Sequence, residues 1–408
     1  MRLWMSGMWA ACLREIKGIP SRPQEWISSA LLPIFWLLII VGIFGQGLMT
    51  SVPVGVVNED GGSLSRQVLL KLEALPSVRP VPFDSRHEAE ASLKAARTYG
   101  TIVFPKHFTR DSLKGEGTLE FVLNKSYYAV ATTLEVDVKT ALADLAKEVG
   151  AAKMTAARGG TFEANAERLR IQYPEVYFLG NPGFNFSAYL LPTLIPGLIA
   201  LAAALTFGGL LIREWRDGGT NELLRTANGY ASAAMVGKLL PWFGFYCLVG
   251  LGWVAGFAGW MGWAPAGSYW LWCAATILFI LSVLSIAILF CGLAVSWILG
   301  LSALIAYFAP CFPFTGFSYP LEAMTPGVAW FGELLPLTHY LAIQGQIWML
   351  GSPVDHTLKT MGILSLFVVI PLAIGVPVYL WRFRLGARRE ACRVAHDARE
   401  QALSGDVP

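Results

Sequence analysis

From Leu239 to Leu321 the chain reads LLPWFGFYCLVGLGWVAGFAGWMGWAPAGSYWLWCAATILFILSVLSIAILFCGLAVSWILGLSALIAYFAPCFPFTGFSYPL, without one Asp, Glu, Lys, Arg or His. The stretch is about 83 residues long, and a helix needs roughly 20 apolar residues to cross a hydrocarbon core about 30 Å thick. It has room for three crossings. Gly259-Trp260-Met261-Gly262-Trp263-Ala264-Pro265 marks one turn and Ser296–Gly300 another, so crossings are expected at 239–258, 270–294 and 297–314. Working outward, uncharged runs predict a first crossing at 27–48, a second at 188–212 with Pro192, Pro196 and Gly197 near its entry, and a sixth at 360–381. The whole composition agrees. Charged residues are 14% and hydrophobic ones 55%, with mean hydropathy +0.52, whereas a soluble domain carries about 25% charged residues. A soluble enzyme is excluded.

Between the first two crossings the composition changes. From Asn58 to Glu175 charges of both signs recur every few residues, so 49–187 is expected to be a mixed α/β domain outside the membrane. A strand is predicted at Val52–Val57, ending in Asn58-Glu59-Asp60-Gly61-Gly62, with further strands at Thr101–Phe104 and Thr118–Leu123. Helices are predicted at Leu64–Leu75, His87–Ala96 and about Tyr127–Ala157, the last from Val130, Leu134, Val138, Ala141 and Leu145 at helical spacing. None of the six cysteines falls between residues 50 and 190, so no disulfide framework holds this domain.

Basic residues set the orientation. Arg2, Arg14, Lys17 and Arg22 lie in the amphipathic segment 1–26, Arg213, Arg216, Arg225 and Lys238 in the 213–238 loop, and Arg382, Arg384, Arg388, Arg389, Arg393 and Arg399 in the 382–408 tail. The turn at 259–269 and the region 315–358 have no Lys or Arg. Six crossings therefore place both termini in the cytoplasm and the 49–187 domain outside. Trp253, Trp260, Trp263, Trp270 and Trp272 cluster around the 259–269 turn and are expected mainly as interfacial anchors.

No G-x-x-x-x-G-K-[ST], H-E-x-x-H or G-x-S-x-G occurs, and the five histidines do not pair at metal-ligand spacing. No cofactor, metal, nucleic acid or catalytic residue is expected on this chain. Proton- and ion-coupled transporters carry ionisable groups inside their spans. These spans carry none, so energy for transport must enter through a cytoplasmic segment.

Three regions then resemble the ABC-2-type permeases, exporter subunits of ABCG-like, type V topology with a large insert after the first span. The first is Arg213-Glu214-Trp215-Arg216-Asp217-Gly218-Gly219-Thr220-Asn221-Glu222-Leu223-Leu224-Arg225-Thr226. In the family this is a short coupling helix that docks on the ATPase subunit. The resemblance assigns that role to Arg213, Glu214, Trp215, Arg216, Asp217, Thr220, Glu222, Leu223 and Leu224, with Ala227 where the family has Pro. The second region is Phe314-Thr315-Gly316-Phe317-Ser318-Tyr319-Pro320-Leu321-Glu322-Ala323-Met324-Thr325-Pro326, followed by Leu335-Pro336-Leu337-Thr338-His339-Tyr340. It is similar to the re-entrant helices at the outer mouth and makes Gly316, Pro320, Met324, Pro326, Pro336 and Thr338 candidate outer-gate residues. Gln344-Gly345-Gln346 stands where the family often has a basic residue. The third is Val54-Gly55-Val56-Val57-Asn58-Glu59-Asp60 with Gly100-Thr101-Ile102-Val103-Phe104-Pro105 and Phe108, and the Asn181-Pro182 and Pro196-Gly197 pairs before the second span.

The resemblance implies a permease subunit of a multidrug or lipid exporter in a bacterial inner membrane. It implies a second permease copy or paralogue, an ABC ATPase subunit carrying ATP and Mg, surrounding membrane lipids and, in Gram-negative relatives, a periplasmic adaptor. ATP-driven closure of the ATPases would push the coupling helix and open a central path, for which Leu191, Ile195 and Leu198 on the second span and Leu301, Ile305 and Phe308 on the fifth are the candidates. The alternative of another class is a non-transporting receptor or scaffold whose outer domain binds a partner.

Overall fold

A computed structural model describes residues 1–44, 51–114, 118–124, 128–158, 161, 186–317 and 320–404. The expected end of the first crossing (45–48), Tyr127, the 159–160 and 162–185 stretches with Asn181-Pro182, Ser318, Tyr319 and the last four residues lie outside them. The chain separates into two compact units, Met1–Gly45 with Ala188–Pro408, and Gln46–Ser187.

The first unit begins with α1 (Arg2–Gly18), α2 (Pro23–Trp26), one π turn at Ile27–Leu31 and α3 (Leu32–Phe44).

The second unit carries β1 (Val52–Asn58), α4 (Ser63–Glu73), β2 (Val78–Pro82), α5 (Arg86–Lys94), β3 (Gly100–Phe104), α6 (Phe108–Lys114), β4 (Glu120–Leu123) and α7 (Tyr128–Arg158). The strand order is β2-β1-β3-β4, with β1 parallel to β2 and β3, and β4 antiparallel. Val68 and Leu72 of α4 and Leu134, Val138 and Leu145 of α7 pack with Val54, Val56, Ile102 and Phe104 of the sheet. Ala89 of α5 packs with Val57 and Val103 from the other side. Covered on both faces, β1 and β3 read as continuous apolar runs instead of alternating ones. Strand β2 and helix α6 extend what periodicity predicted. Pro80 and Pro82 hide β2, yet it is an edge strand, where a missing N–H is tolerated.

The chain returns to the first unit through α8 (Phe186–Asp217), α9 (Thr220–Thr226), α10 (Ala231–Ala255), α11 (Tyr269–Leu293), α12 (Trp297–Phe308), α13 (Cys311–Phe314), α14 (Pro326–Glu333), α15 (Pro336–Trp348) and α16 (Val354–Ser404). Among the described residues five stretches are long and apolar enough to cross a membrane: Pro23–Ile43, Ser187–Asp217, Ala231–Gly259, Tyr269–Leu293 and Val354–Arg393. The expected crossing at 297–314 is broken. Helix α12 stops after 12 residues, about 18 Å of rise, because Pro310 has no N–H to continue the ladder and α13 starts afresh at Cys311. The C-terminal basic tail is no separate segment. It prolongs α16, which is 51 residues long.

Small residues set the helix crossings. A Cβ on Gly237 of α10 would lie 2.2 Å from Met8 O of α1, and one on Gly7 of α1 would lie 2.5 Å from Ala227 O. Such close backbone approach packs α1 directly on α10 and on the turn after α9. Trp4 Nε1 donates to Ser232 Oγ (2.9 Å) and Asn228 Nδ2 to Leu3 O (3.0 Å) along the same seam. Gly237→Leu is accordingly expected to lift α1 off α10 and raise amide exchange across Arg2–Gly18 at least about tenfold, since overpacking costs roughly 1–3 kcal/mol. Unchanged exchange would count against the close crossing. On the opposite flank a Cβ on Gly375 of α16 would lie 2.7 Å from Leu289 Cα of α11.

The tryptophans near 259–269 differ from the interfacial expectation. Phe257 is the hub of a buried aromatic cluster, with ring centroids 5.0 Å from Trp253, 4.7 Å from Trp263, 5.9 Å from Trp272 and 4.6 Å from Trp348. Trp272 is fully buried, and Trp270, at 80% exposure, keeps the anchor position. Residues 270 and 272 lie two apart on a helix, so they face different sides.

Candidate coupling site

Helix α9 is created by its flanks. Gly218 (φ 79°) and Gly219 (φ 100°) stop α8 in a left-handed turn that residues with a Cβ rarely adopt. At the far end Gly229 N–H returns to Leu224 O (2.8 Å), with Asn228 and Gly229 again at positive φ. Two other elements hold the helix. Glu390 of α16 accepts Gly219 N–H (2.8 Å) and Asn221 N–H (3.0 Å), capping the positive end of α9 with a carboxylate from more than 160 residues away. Arg14 of α1 pairs with Glu222 at 3.3 Å. Leu223 and Thr220 are buried, Leu224 and Asn221 half-buried, and Glu222 and Arg225 exposed. The outward face of α9 is therefore charged.

Behind α9 lies a buried charge network. Arg213, Glu214, Glu15 and Lys238 are 7%, 6%, 4% and 2% exposed. Arg213 donates from Nη1 to Glu15 Oε1 (2.9 Å) and Glu25 Oε2 (3.0 Å), and from Nη2 to Glu15 Oε2. Glu214 Oε1 lies 3.5 Å from Arg213 Nη2, and Glu214 Oε2 accepts from Lys238 Nζ, which also donates to Leu210 O. Arg22 closes the group at 3.9 Å from Glu15 and 4.0 Å from Glu25. Three carboxylates face three cations, so the cluster is neutral overall. Burial alone would push the Glu15 carboxyl up. The Arg213 hydrogen bond and charge, with Lys238 and Arg22 behind them, hold it below the usual carboxylate range.

Residues 213–217 thus continue α8 instead of forming a loop. Arg213 and Glu214 are interior ties to α1 and α10, while Arg216 and Asp217 form an exposed pair (Nε to Oδ1, 2.7 Å). The Trp215 ring packs at a tilt against Tyr379 of α16 (centroids 5.3 Å) with the Arg382 guanidinium over it (4.9 Å). The sequence reading missed Glu15, Lys238 and Glu390. One signal was present. Gly7, Ala11 and Glu15 form the buried stripe of α1, so a carboxylate sits on an otherwise small apolar face.

The outer-gate candidates lie together around α14 and α15. Gly316 adopts φ 77°, Pro326 and Pro336 open α14 and α15, and Thr338 Oγ1 donates to Gly332 O (2.7 Å). Pro320 is exposed and Met324 half-buried. Gln344, where the family often has a basic residue, has a structural task. Pro196 cannot donate to Pro192 O within α8, and Gln344 Nε2 donates to that carbonyl instead (2.7 Å). Of the path candidates, Leu191, Ile195 and Phe308 are buried in the bundle core, whereas Leu198 and Leu301 are half-buried and Ile305 is exposed.

Among the described residues, a bundle with five span-length helices, two prolines inside α8 and a clamped short helix between its second and third spans describes a multi-pass membrane protein. Residues 24–376 match the family described as ABC-2 family transporter protein, and the chain belongs to that family. Its relatives include the probable multidrug ABC transporter permease YbhS of Escherichia coli, in strain K12 and in O157:H7. Each is 20% identical over 351 residues, covering 84% of this chain and 88% of the relative. Membership makes the chain an ABC transporter permease, whose family works with an ABC ATPase.

Proposed function

We propose that the chain moves an amphiphilic, lipid-like or drug-like substrate outward across a bacterial inner membrane, powered by ATP and Mg on a separate ATPase subunit that docks on α9. The observation that carries this reading is the clamped helix α9, held by α1, α8 and α16 while Glu222 and Arg225 face outward. A rigid, charged lever tied to three long helices can transmit a push to the bundle. A loop could not.

Six crossings, with the α12–α13 pair as a broken fifth, fit the placement of the ends. α1, α9 and the basic part of α16 meet through Arg14–Glu222 and Glu390–Gly219, which supports both termini on one side. An even number of crossings agrees with that, and the density of Arg there supports a cytoplasmic side. The Gln46–Ser187 unit then lies outside, where an adaptor can reach it. A dimer with a second copy or paralogue would cover the apolar residues that α12 leaves exposed, Ile298, Leu299 and Ile305. Leu198, Leu301 and Ile305 would be the path residues reachable from a central route, and the multidrug description of the E. coli relatives agrees with amphiphilic cargo.

Arg225→Glu is expected to cut co-purification of the ATPase about tenfold, because a reversed rim charge opposes a complementary partner, while the Arg14–Glu222 tie of α9 is kept. Its thermal stability should match the parent, since the Arg225 side chain is exposed. Full ATPase recovery with the reversed charge would overturn α9 as the docking helix.

A further inference from the structure

A cavity of about 850 Å³ opens where α8 ends, α11 turns into α12 and α16 leaves the span. Four arginines and three carboxylates line it, Arg216, Arg382, Arg389 and Arg393 against Glu214, Asp217 and Glu390. Each carboxylate is engaged. Glu214 pairs with Lys238, Asp217 with Arg216, and Glu390 with the backbone of α9. Arg382 is engaged too, donating to Gly292 O (2.9 Å), Val295 O (3.4 Å) and Ala294 O at the end of α11. Among the described residues Arg389 and Arg393 have no carboxylate partner. They stand one helical turn apart on α16, both at the cavity.

The part of the cavity nearer the span has a different chemistry. Val295 is 85% and Trp381 63% exposed, and Leu293 and Trp297 are exposed beside them. An apolar shelf at the depth where the span ends is a surface for hydrocarbon.

The geometry points to a binding site for an anionic glycerophospholipid of the adjacent leaflet, its phosphate between Arg389 and Arg393 and its acyl chains along Val295, Trp297 and Trp381. A free phosphate would use the guanidiniums and leave the apolar shelf unpaired. A soluble protein partner would have no cause to match an apolar rim at membrane depth. The site depends on the membrane orientation of α16 and not on the docking role of α9.

The test uses the full chain in nanodiscs of phosphatidylcholine containing a minor fraction of phosphatidylglycerol, with retained lipid counted by native mass spectrometry. The parent is expected to retain phosphatidylglycerol over phosphatidylcholine. Arg389→Gln with Arg393→Gln is expected to lower that preference roughly thirtyfold, at about a fivefold loss per arginine near the surface. Arg384→Gln, on the same helix but outside the cavity, should leave it intact, and a matching melting curve for all variants keeps folding out of the result. Equal retention of the two lipids by the parent, an unchanged preference in the double variant, or an equal loss in Arg384→Gln would each overturn the proposal. So would displacement of the lipid by millimolar inorganic phosphate, which would assign the pocket to a free anion. Loss of ATPase binding with lipid preference unchanged would assign it to the protein partner.

Discussion

Glu15→Ala is expected to be the most damaging single substitution in the N-terminal region, destabilising the chain by roughly 3–5 kcal/mol and releasing α1 from the bundle. Arg213 is interior and spends both terminal nitrogens on Glu15. Truncating Glu15 leaves a guanidinium buried with Glu25, which is partly exposed, and with Glu214, which Lys238 already claims. Three cations would then face two carboxylates at the end of the bundle. Removing both partners together has a different outcome, because replacing a buried ion pair with apolar groups of similar volume is often neutral. Glu15→Leu with Arg213→Met leaves the Glu214–Lys238 and Arg22–Glu25 pairs, and should recover most of the lost stability. The thermal midpoint of the solubilised protein and amide exchange across Arg2–Gly18 read both variants. If Glu15→Ala melts like the parent, or if the double variant is worse than the single one, the network is not what ties α1 down.

The spans were legible because membrane crossing is written locally: an uncharged stretch of sufficient length has few alternatives. The exception at 297–314 is instructive, since the apolar count was met but Pro310 divides the helix at a point where the count is blind. The main strands of the second unit were legible for the same local reason, while β2 was hidden by prolines that only its edge position excuses. The 213–226 segment was legible as a charged run carrying a short helix. Its internal division was not. Glu15 lies 198 residues from Arg213, and Glu390 lies 171 from Gly219. No periodicity connects such positions, so a buried tie and an exposed charge look alike in the sequence. Exposure separates them, placing Arg213, Glu214 and Leu223 inside and Glu222 and Arg225 outside.

Glu390→Ala is expected to weaken ATPase binding roughly thirtyfold while leaving the membrane bundle intact. The carboxylate accepts two N–H groups in the first turn of α9, where the helix has no internal acceptors. Hydrogen bonds to a charged acceptor are worth about 1.5–3 kcal/mol, and losing about 2 kcal/mol of ordering lowers the fraction of α9 that is ready to dock by that factor. A helix of seven residues has little stability of its own to offset the loss. Glu390→Gln keeps one acceptor oxygen but turns a donor toward the second N–H, so its affinity should fall between those of the parent and Glu390→Ala. The cap is half-buried and remote from the helix crossings at Gly237 and Gly375, so the melting curve should hold in both variants. The measurement is a titration of the reconstituted permease with its ATPase. Parent-like affinity in Glu390→Ala would mean that α9 is ordered without its cap or is not the surface the ATPase reads. Reduced affinity with loss of bundle stability would instead place Glu390 in the fold.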